Sequence, residues 1–111
     1  MYEYKALVTK VYDGDTITVD IELGFGVFFN KQTLRLAYIN TPEVRGTEKE
    51  QGYISRDRVR ELILGKEVII KTQKDSKGKY GRWIAEVFYN DLEVSLNEQL
   101  INEGLAERYK Y

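Results

Sequence analysis

Apolar and polar residues alternate along the first third of the chain. From Tyr4 to Val11 the set Ala6, Val8, Lys10 falls on one side and Leu7, Thr9, Val11 on the other, which is the two-residue period of a strand. Thr16 to Leu23 alternates more cleanly, with Ile17, Val19, Ile21 and Leu23 facing in and Thr16, Thr18, Asp20 and Glu22 facing out. Asp13-Gly14 between these runs predicts a tight two-residue hairpin turn, glycine tolerating positive φ. The glycine-punctuated stretch 24–30 reads either as a second hairpin with a bulge or as a loop lying over the core. Thr33 to Ile39 predicts a third strand, with Leu34, Leu36 and Tyr38 on one face and Arg35, Ala37 and Ile39 on the other. Pro42 ends that ladder, because it has no N–H to donate.

Residues 44–51 read as a polar loop. The period then changes. Ser55, Val59, Leu62 and Ile63 share one face at helical spacing, which predicts a helix over 53–64 ended by Gly65. Glu67 to Thr72 and Trp83 to Tyr89 predict two more strands, with turns at Asp75-Ser76-Lys77-Gly78 and Asn90-Asp91. Ser95-Leu96-Asn97-Glu98 is a capping box that opens a second helix, whose apolar stripe is Leu96, Leu100 and Ile101 and whose end is Gly104. Five short strands, one helix after the third and one after the fifth, predict a β-rich α+β fold. The matching architecture is the five-stranded oligonucleotide/oligosaccharide-binding (OB) barrel, in one domain over residues 1–111.

Composition narrows the chemistry. The 111 residues include no cysteine and no histidine. Disulfides, thiolate zinc sites, cysteine nucleophiles and Ser-His-Asp catalysis are thereby excluded. An enzyme built from this chain has to use carboxylates, Arg, Lys, Tyr, hydroxyls, or a hard metal held by oxygen. Net charge is -1, so the chain as a whole does not attract polyanions. Between Lys66 and Arg82, however, six cations stand against Glu67 and Asp75, which reads either as a solvated hairpin or as a phosphate-facing patch. No stretch is long enough to span a membrane, and the first residues do not resemble a secretory signal. The expected location is the cytoplasm, or outside the cell if a signal has been removed.

Three clusters carry candidate chemistry: Asp13-Gly14-Asp15-Thr16, then Arg35 with Asn40-Thr41-Pro42-Glu43, then Lys79-Tyr80-Gly81-Arg82. The second alone also reads as a solvated strand face followed by an ordinary turn. Together the three form a set suited to phosphodiester cleavage. Asp15, the Asn40 side-chain oxygen and a backbone carbonyl are ligands for a hard cation. Glu43 is a candidate base for a water, and Arg35 and Arg82 are candidates to clamp phosphoryl oxygens.

These clusters, with Leu100 through Gly104-Leu105-Ala106, resemble the staphylococcal nuclease (thermonuclease) family in order and nearly in spacing. The resemblance implies a calcium-dependent nuclease. It would cleave DNA and RNA, single strands preferentially, leaving 3′-phosphates, and is expected to act as a monomer away from membranes. It implies Asp15 as the Ca2+ carboxylate and Thr41 as a backbone-carbonyl ligand, with Asp13 just behind the metal. Glu43 is implied as general base, Arg35 and Arg82 as transition-state arginines, and Lys79 and Tyr80 as contacts to a neighbouring phosphate. Tyr109 and Tyr111 stand where tyrosines pack on the substrate base. Asn40 stands where the best-known members carry a second calcium-binding aspartate; it keeps the oxygen and loses the charge. The family's last helix has no counterpart before Tyr111. The alternative is an OB-fold module that binds nucleic acid or protein and cuts weakly or not at all.

Overall fold

Strand patterning and turn chemistry close a barrel around one apolar core. The computed structural model of the chain describes residues 2–73, 83–91 and 93–109. Its strands are β1 (Tyr2–Asp13), β2 (Thr16–Gly24), β3 (Val27–Leu36), β4 (Ile39–Asn40), β5 (Glu67–Thr72), β6 (Trp83–Phe88) and β7 (Glu107–Arg108). Helix α1 spans Lys49–Ile63 and α2 spans Leu96–Asn102. The closed barrel runs β1-β2-β3-β6-β5 and back to β1, with β3 and β6 parallel and the other neighbours antiparallel. This is the OB barrel expected from the pattern, with its helix between the third and fourth barrel strands. Beside it, β4 and β7 pair as a two-stranded antiparallel ribbon.

Ile17, Val19, Leu34, Leu36, Val68, Ile70, Ala85 and Val87 fill the barrel, and Val59, Ile63, Leu96 and Leu100 close it from the helices. Two strand phases differ from simple alternation. In β1 the register shifts between Val8 and Lys10, so Val8 and Val11 are both buried and Lys10 is exposed. A bulge inserts one residue and reverses which face follows. The third strand stops at Leu36. Tyr38 adopts φ 63, and the turn at 37–38 starts the separate strand β4. Ala37 and Ile39 are therefore buried while Tyr38 is exposed, the reverse of the expected faces.

Residues 24–30 are the hairpin of the two alternatives, closed by the two-residue loop Phe25-Gly26 between paired Gly24 and Val27. Leu23 is half exposed there, because the hairpin runs past the end of the core. Helix α1 begins at Lys49, four residues before the apolar period, after a 3-10 turn at Gly46–Glu48. The Ser95 hydroxyl accepts the Glu98 N–H at 3.1 Å, as expected of the capping box. The Glu98 carboxylate does not reach back. It takes a two-pronged bond from Arg108 at 2.9 and 3.0 Å and ties α2 to β7. Among the described residues no helix is long and apolar enough to cross a membrane.

Candidate functional site

The turn joining β1 to β2 places Gly14 and Asp15 at one end of the barrel. Gly14 does not have positive φ; what requires glycine is close approach. A Cβ there would lie 2.7 Å from Thr41 Cγ2 and 2.9 Å from Ser55 Cβ. The missing side chain thus lets the Asp13–Asp15 turn touch both the Asn40–Thr41 segment and α1.

Asp15 is the centre of the resulting network and is buried. Its Oδ2 lies 2.7 Å from Arg35 Nη1 and accepts the Thr41 N–H at 3.1 Å, and its Oδ1 accepts the Thr16 hydroxyl at 3.2 Å. Its N–H donates to Asp13 Oδ1 at 3.1 Å. Arg35 Nη2 donates to the Ile39 carbonyl at 3.0 Å and to Asn40 Oδ1. The Arg35 guanidinium also lies 5.8 Å from the Tyr109 ring centre. The Tyr109 N–H donates to the Tyr38 carbonyl at 2.8 Å, which extends the β4–β7 ribbon over the site. Arg35 is therefore not a solvated face residue.

The two carboxylates titrate in opposite directions. Asp13 is pushed up to about 7, by burial first and then by its hydrogen bond and charge interaction with Asp15. Burial also acts to raise Asp15. The Asp13 hydrogen bond, the Arg35 charge and the Thr41 amide outweigh it and hold Asp15 below the ordinary carboxylate value. The arrangement is one ionised carboxylate facing a guanidinium, with a second carboxyl behind it that holds its proton to near neutrality.

Asp13, Asp15, Arg35, Asn40, Thr41 and Glu43 all line one cleft of about 730 Å³. The structure thus brings together the first two sequence clusters. Lys79, Tyr80, Arg82 and Tyr111 lie outside the described residues, as does the predicted turn at 75–78. Sequence reasoning gave no part in the site to the wall residues Val44, Arg45, Glu48 and Glu107. It placed Ser55 on the apolar helix face without a part in the site, and it missed Gly52; the walls rest on both. A glycine at position 52, just ahead of the helical period, was the available signal.

The donor set is all oxygen: the Asp15 carboxylate, the Asn40 amide oxygen and the Thr41 backbone, with Glu43 exposed on the same cleft. The Thr41 hydroxyl is buried without a hydrogen-bond partner among the described residues. These groups suit a hard cation in kind and carry little charge for one. Among the described residues no three carboxylates are clustered to share an ion. The Asp15 and Asn40 oxygens are both turned toward Arg35.

A family model described as staphylococcal nuclease homologue matches residues 33–111. The chain is 31% identical to a thermonuclease of Staphylococcus intermedius, over 95% of this chain and 60% of that protein. It is 30% identical to an uncharacterised protein of Methanocaldococcus jannaschii, over 96% of this chain and 59% of the relative. An uncharacterised protein of Bacillus anthracis is 31% identical over 90% of this chain and 45% of its own length. The chain thus spans about three fifths, or less, of the length of the curated relatives it matches. The match covers the Arg35–Glu43 cluster and both helices on the barrel already described, and the chain belongs to the staphylococcal nuclease homologue family.

Proposed function

We propose that the protein is a calcium-dependent nuclease that hydrolyses phosphodiester bonds of DNA or RNA, single strands preferentially, and works as a monomer. The single observation that carries this reading is the Asp15–Arg35 pair at 2.7 Å, set in a cleft that also holds Glu43 and Asn40. Thermonuclease is the printed name of one relative, and the reading extends that activity to this chain.

In this reading Asp15, Asn40 and Thr41 hold the calcium ion, which supplies positive charge for the substrate phosphate. On substrate and ion binding Arg35 exchanges the Asp15 and Asn40 oxygens it holds in this structure for phosphoryl oxygens, which its planar fork grips, and so releases those two oxygens to the ion. Glu43 accepts a proton from the attacking water, whose oxygen bonds to phosphorus as the P–O5′ bond breaks; the departing 5′-oxygen takes a proton from solvent water, leaving a 5′-hydroxyl and a 3′-phosphate. Arg82, next to the first residue of β6, is assigned the second phosphate clamp, with Lys79 and Tyr80 on the adjoining phosphate. Tyr109 and Tyr111 are assigned to the base. A second reading, a barrel that grips single strands without cutting, is favoured by Asn40 and by the missing three-carboxylate cluster among the described residues.

The deciding measurement is cleavage of labelled single-stranded DNA with calcium and with chelator. Cleavage is expected with calcium only. Arg35→Lys is expected to lose about a hundredfold or more in rate, because an ammonium makes no two-pronged phosphate contact. Binding without cleavage at millimolar calcium selects the second reading. Cleavage in excess chelator removes the metal from the first.

A further inference from the structure

Gly52 sits in the first turn of α1 and is buried, and it does not have positive φ. No turn conformation calls for glycine there, and glycine is among the poorest residues for a helix. Its use is accounted for by what lies against it. A Cβ at 52 would stand 2.1 Å from the Glu43 carbonyl oxygen, 2.4 Å from the Glu43 carbonyl carbon and 2.8 Å from the Val44 nitrogen. All three are backbone atoms, which cannot swing aside as a side-chain tip does. On the other side of the residue, the Glu43 N–H donates to Glu48 Oε1 at 3.2 Å. The peptide groups flanking the Glu43 side chain are therefore seated one on the start of α1 and one on the 3-10 turn that leads into it.

The next position on the same helix face is Ser55, also buried. Its Cβ is one of the atoms that a side chain at Gly14 would strike, at 2.9 Å, and its hydroxyl donates to the Leu105 carbonyl at 2.8 Å. The turn bearing Asp13 and Asp15, the segment bearing Glu43 and the Leu105 wall of the cleft all rest on two small residues three positions apart.

We infer that the Gly52–Ser55 face of α1 is a positioning platform that sets Glu43 against Asp15 and Arg35, with Gly52 and Glu48 as positioning residues for Glu43. The inference deepens the nuclease reading and rests on it for the role of Glu43. The placement itself does not depend on catalysis.

The test is Gly52→Ala beside the control Gln51→Ala, an exposed position on the same turn. To relieve a 2.1 Å approach to the 3.0 Å that real contacts respect, the Glu43 peptide has to retreat by about 1 Å. A displacement of that size is expected to lower kcat about a hundredfold per folded molecule, with KM little changed. The Glu43 and Val44 amides are expected to exchange hydrogen faster, read by NMR. Gln51→Ala is expected to change neither. A purely structural role for Gly52 would shift the melting point and leave kcat per folded molecule at the wild-type level. The inference is overturned if the Glu43 amide in Gly52→Ala keeps its exchange rate and a crystal structure finds its carbonyl unmoved. Exchange and position need no cleavage, so a wild-type protein that fails to cut refutes the nuclease reading while these two still decide the placement. Should Gly52→Ala not fold, Glu48→Ala on the exposed turn carries the same test. Faster exchange at Glu43 supports the platform, and an unchanged rate refutes it.

Discussion

Asp13 and Asp15 are two residues apart and are driven to opposite protonation states by one local network. Asp13 has a folded pKa of about 7 against an ordinary 3.8. Between those values the folded chain holds a proton that the unfolded chain has released, so stability falls as pH rises. The Asp13 contribution is complete below about pH 4 and gone above about pH 7. Asp15 runs the other way: its contribution is present above the ordinary value and is lost as pH falls through its lowered folded pKa. The chain has no histidine, so few other side chains titrate between about pH 5 and 7 to obscure the Asp13 effect. In metal-free buffer, thermal melts of wild type should lose ground to Asp13→Asn as pH rises from about 4 to 7, then run parallel. Asparagine keeps an oxygen for the Asp15 N–H and does not titrate. Curves that stay parallel across the whole range would show that Asp13 ionises normally. Neither carboxylate's state is legible in Asp-Gly-Asp, because burial and Arg35 reach the pair from elsewhere in the fold.

Among the elements, α2 owes its placement to a residue that periodicity cannot single out. Asn97 lies between the apolar Leu96 and Leu100 and is buried. Its amide nitrogen donates to the Ala37 carbonyl at 2.9 Å and the Ala85 carbonyl at 3.1 Å, while its oxygen accepts the Val87 N–H at 3.1 Å. One side chain thereby serves the end of β3 and the middle of β6, where the two parallel strands diverge. Asn97→Leu keeps the apolar stripe and leaves the Val87 N–H and Ala37 carbonyl buried without this partner. We expect it to cost about 2–4 kcal/mol, read as a lower urea midpoint with unchanged m. A change within about 0.5 kcal/mol would mean that the backbone groups find other partners. The two helices are further joined by Arg58, which contacts Glu103 at 2.8 Å and Glu61 at 2.6 Å. Because Arg58 and Glu103 are only partly buried and Glu61 is exposed, these bonds orient the helices more than they stabilise them.

At the scale of the whole molecule, a net charge of -1 leaves any nucleic-acid contact to local groups rather than to the overall field. The same scale offers a test of the cation that needs no substrate. An ion that binds only the folded chain stabilises it by about 2.7 kcal/mol at a hundred times its Kd. For a domain of this size that is a rise in Tm on the order of 10 °C. Calcium should raise the Tm with a Kd near millimolar, because Asp15 is the one carboxylate among the three assigned ligands, so the full shift needs calcium on the order of 100 mM. Asn40→Asp should reach the same shift at roughly tenfold lower calcium, since a full charge replaces a neutral oxygen. A melting curve indifferent to calcium in both proteins would remove Asp15, Asn40 and Thr41 as a cation site.

The sequence by itself determined the barrel strands, both helices, the β1–β2 hairpin, the helix-ending glycines and the absence of thiol and imidazole chemistry, and it left residues 24–30 as a hairpin or a loop. These are local properties: alternation, helical spacing, caps and turns act between residues a few positions apart, and composition needs no fold at all. Tertiary structure decided the β1 bulge that buries Val11, the break at Tyr38 that creates β4, and the β4–β7 ribbon, which pairs residues almost seventy positions apart. It also decided that Asp15, Arg35 and Asn40 meet, that Glu98 serves Arg108 rather than its own helix end, and that Gly14 and Gly52 are glycines because side-chain atoms of Thr41 and Ser55 lie against the first and the Glu43 backbone against the second. A residue's faces follow from its neighbours in sequence. Its ion-pair partner, its pKa and the space for its Cβ follow from segments that chain closure brings alongside, and no local period encodes those.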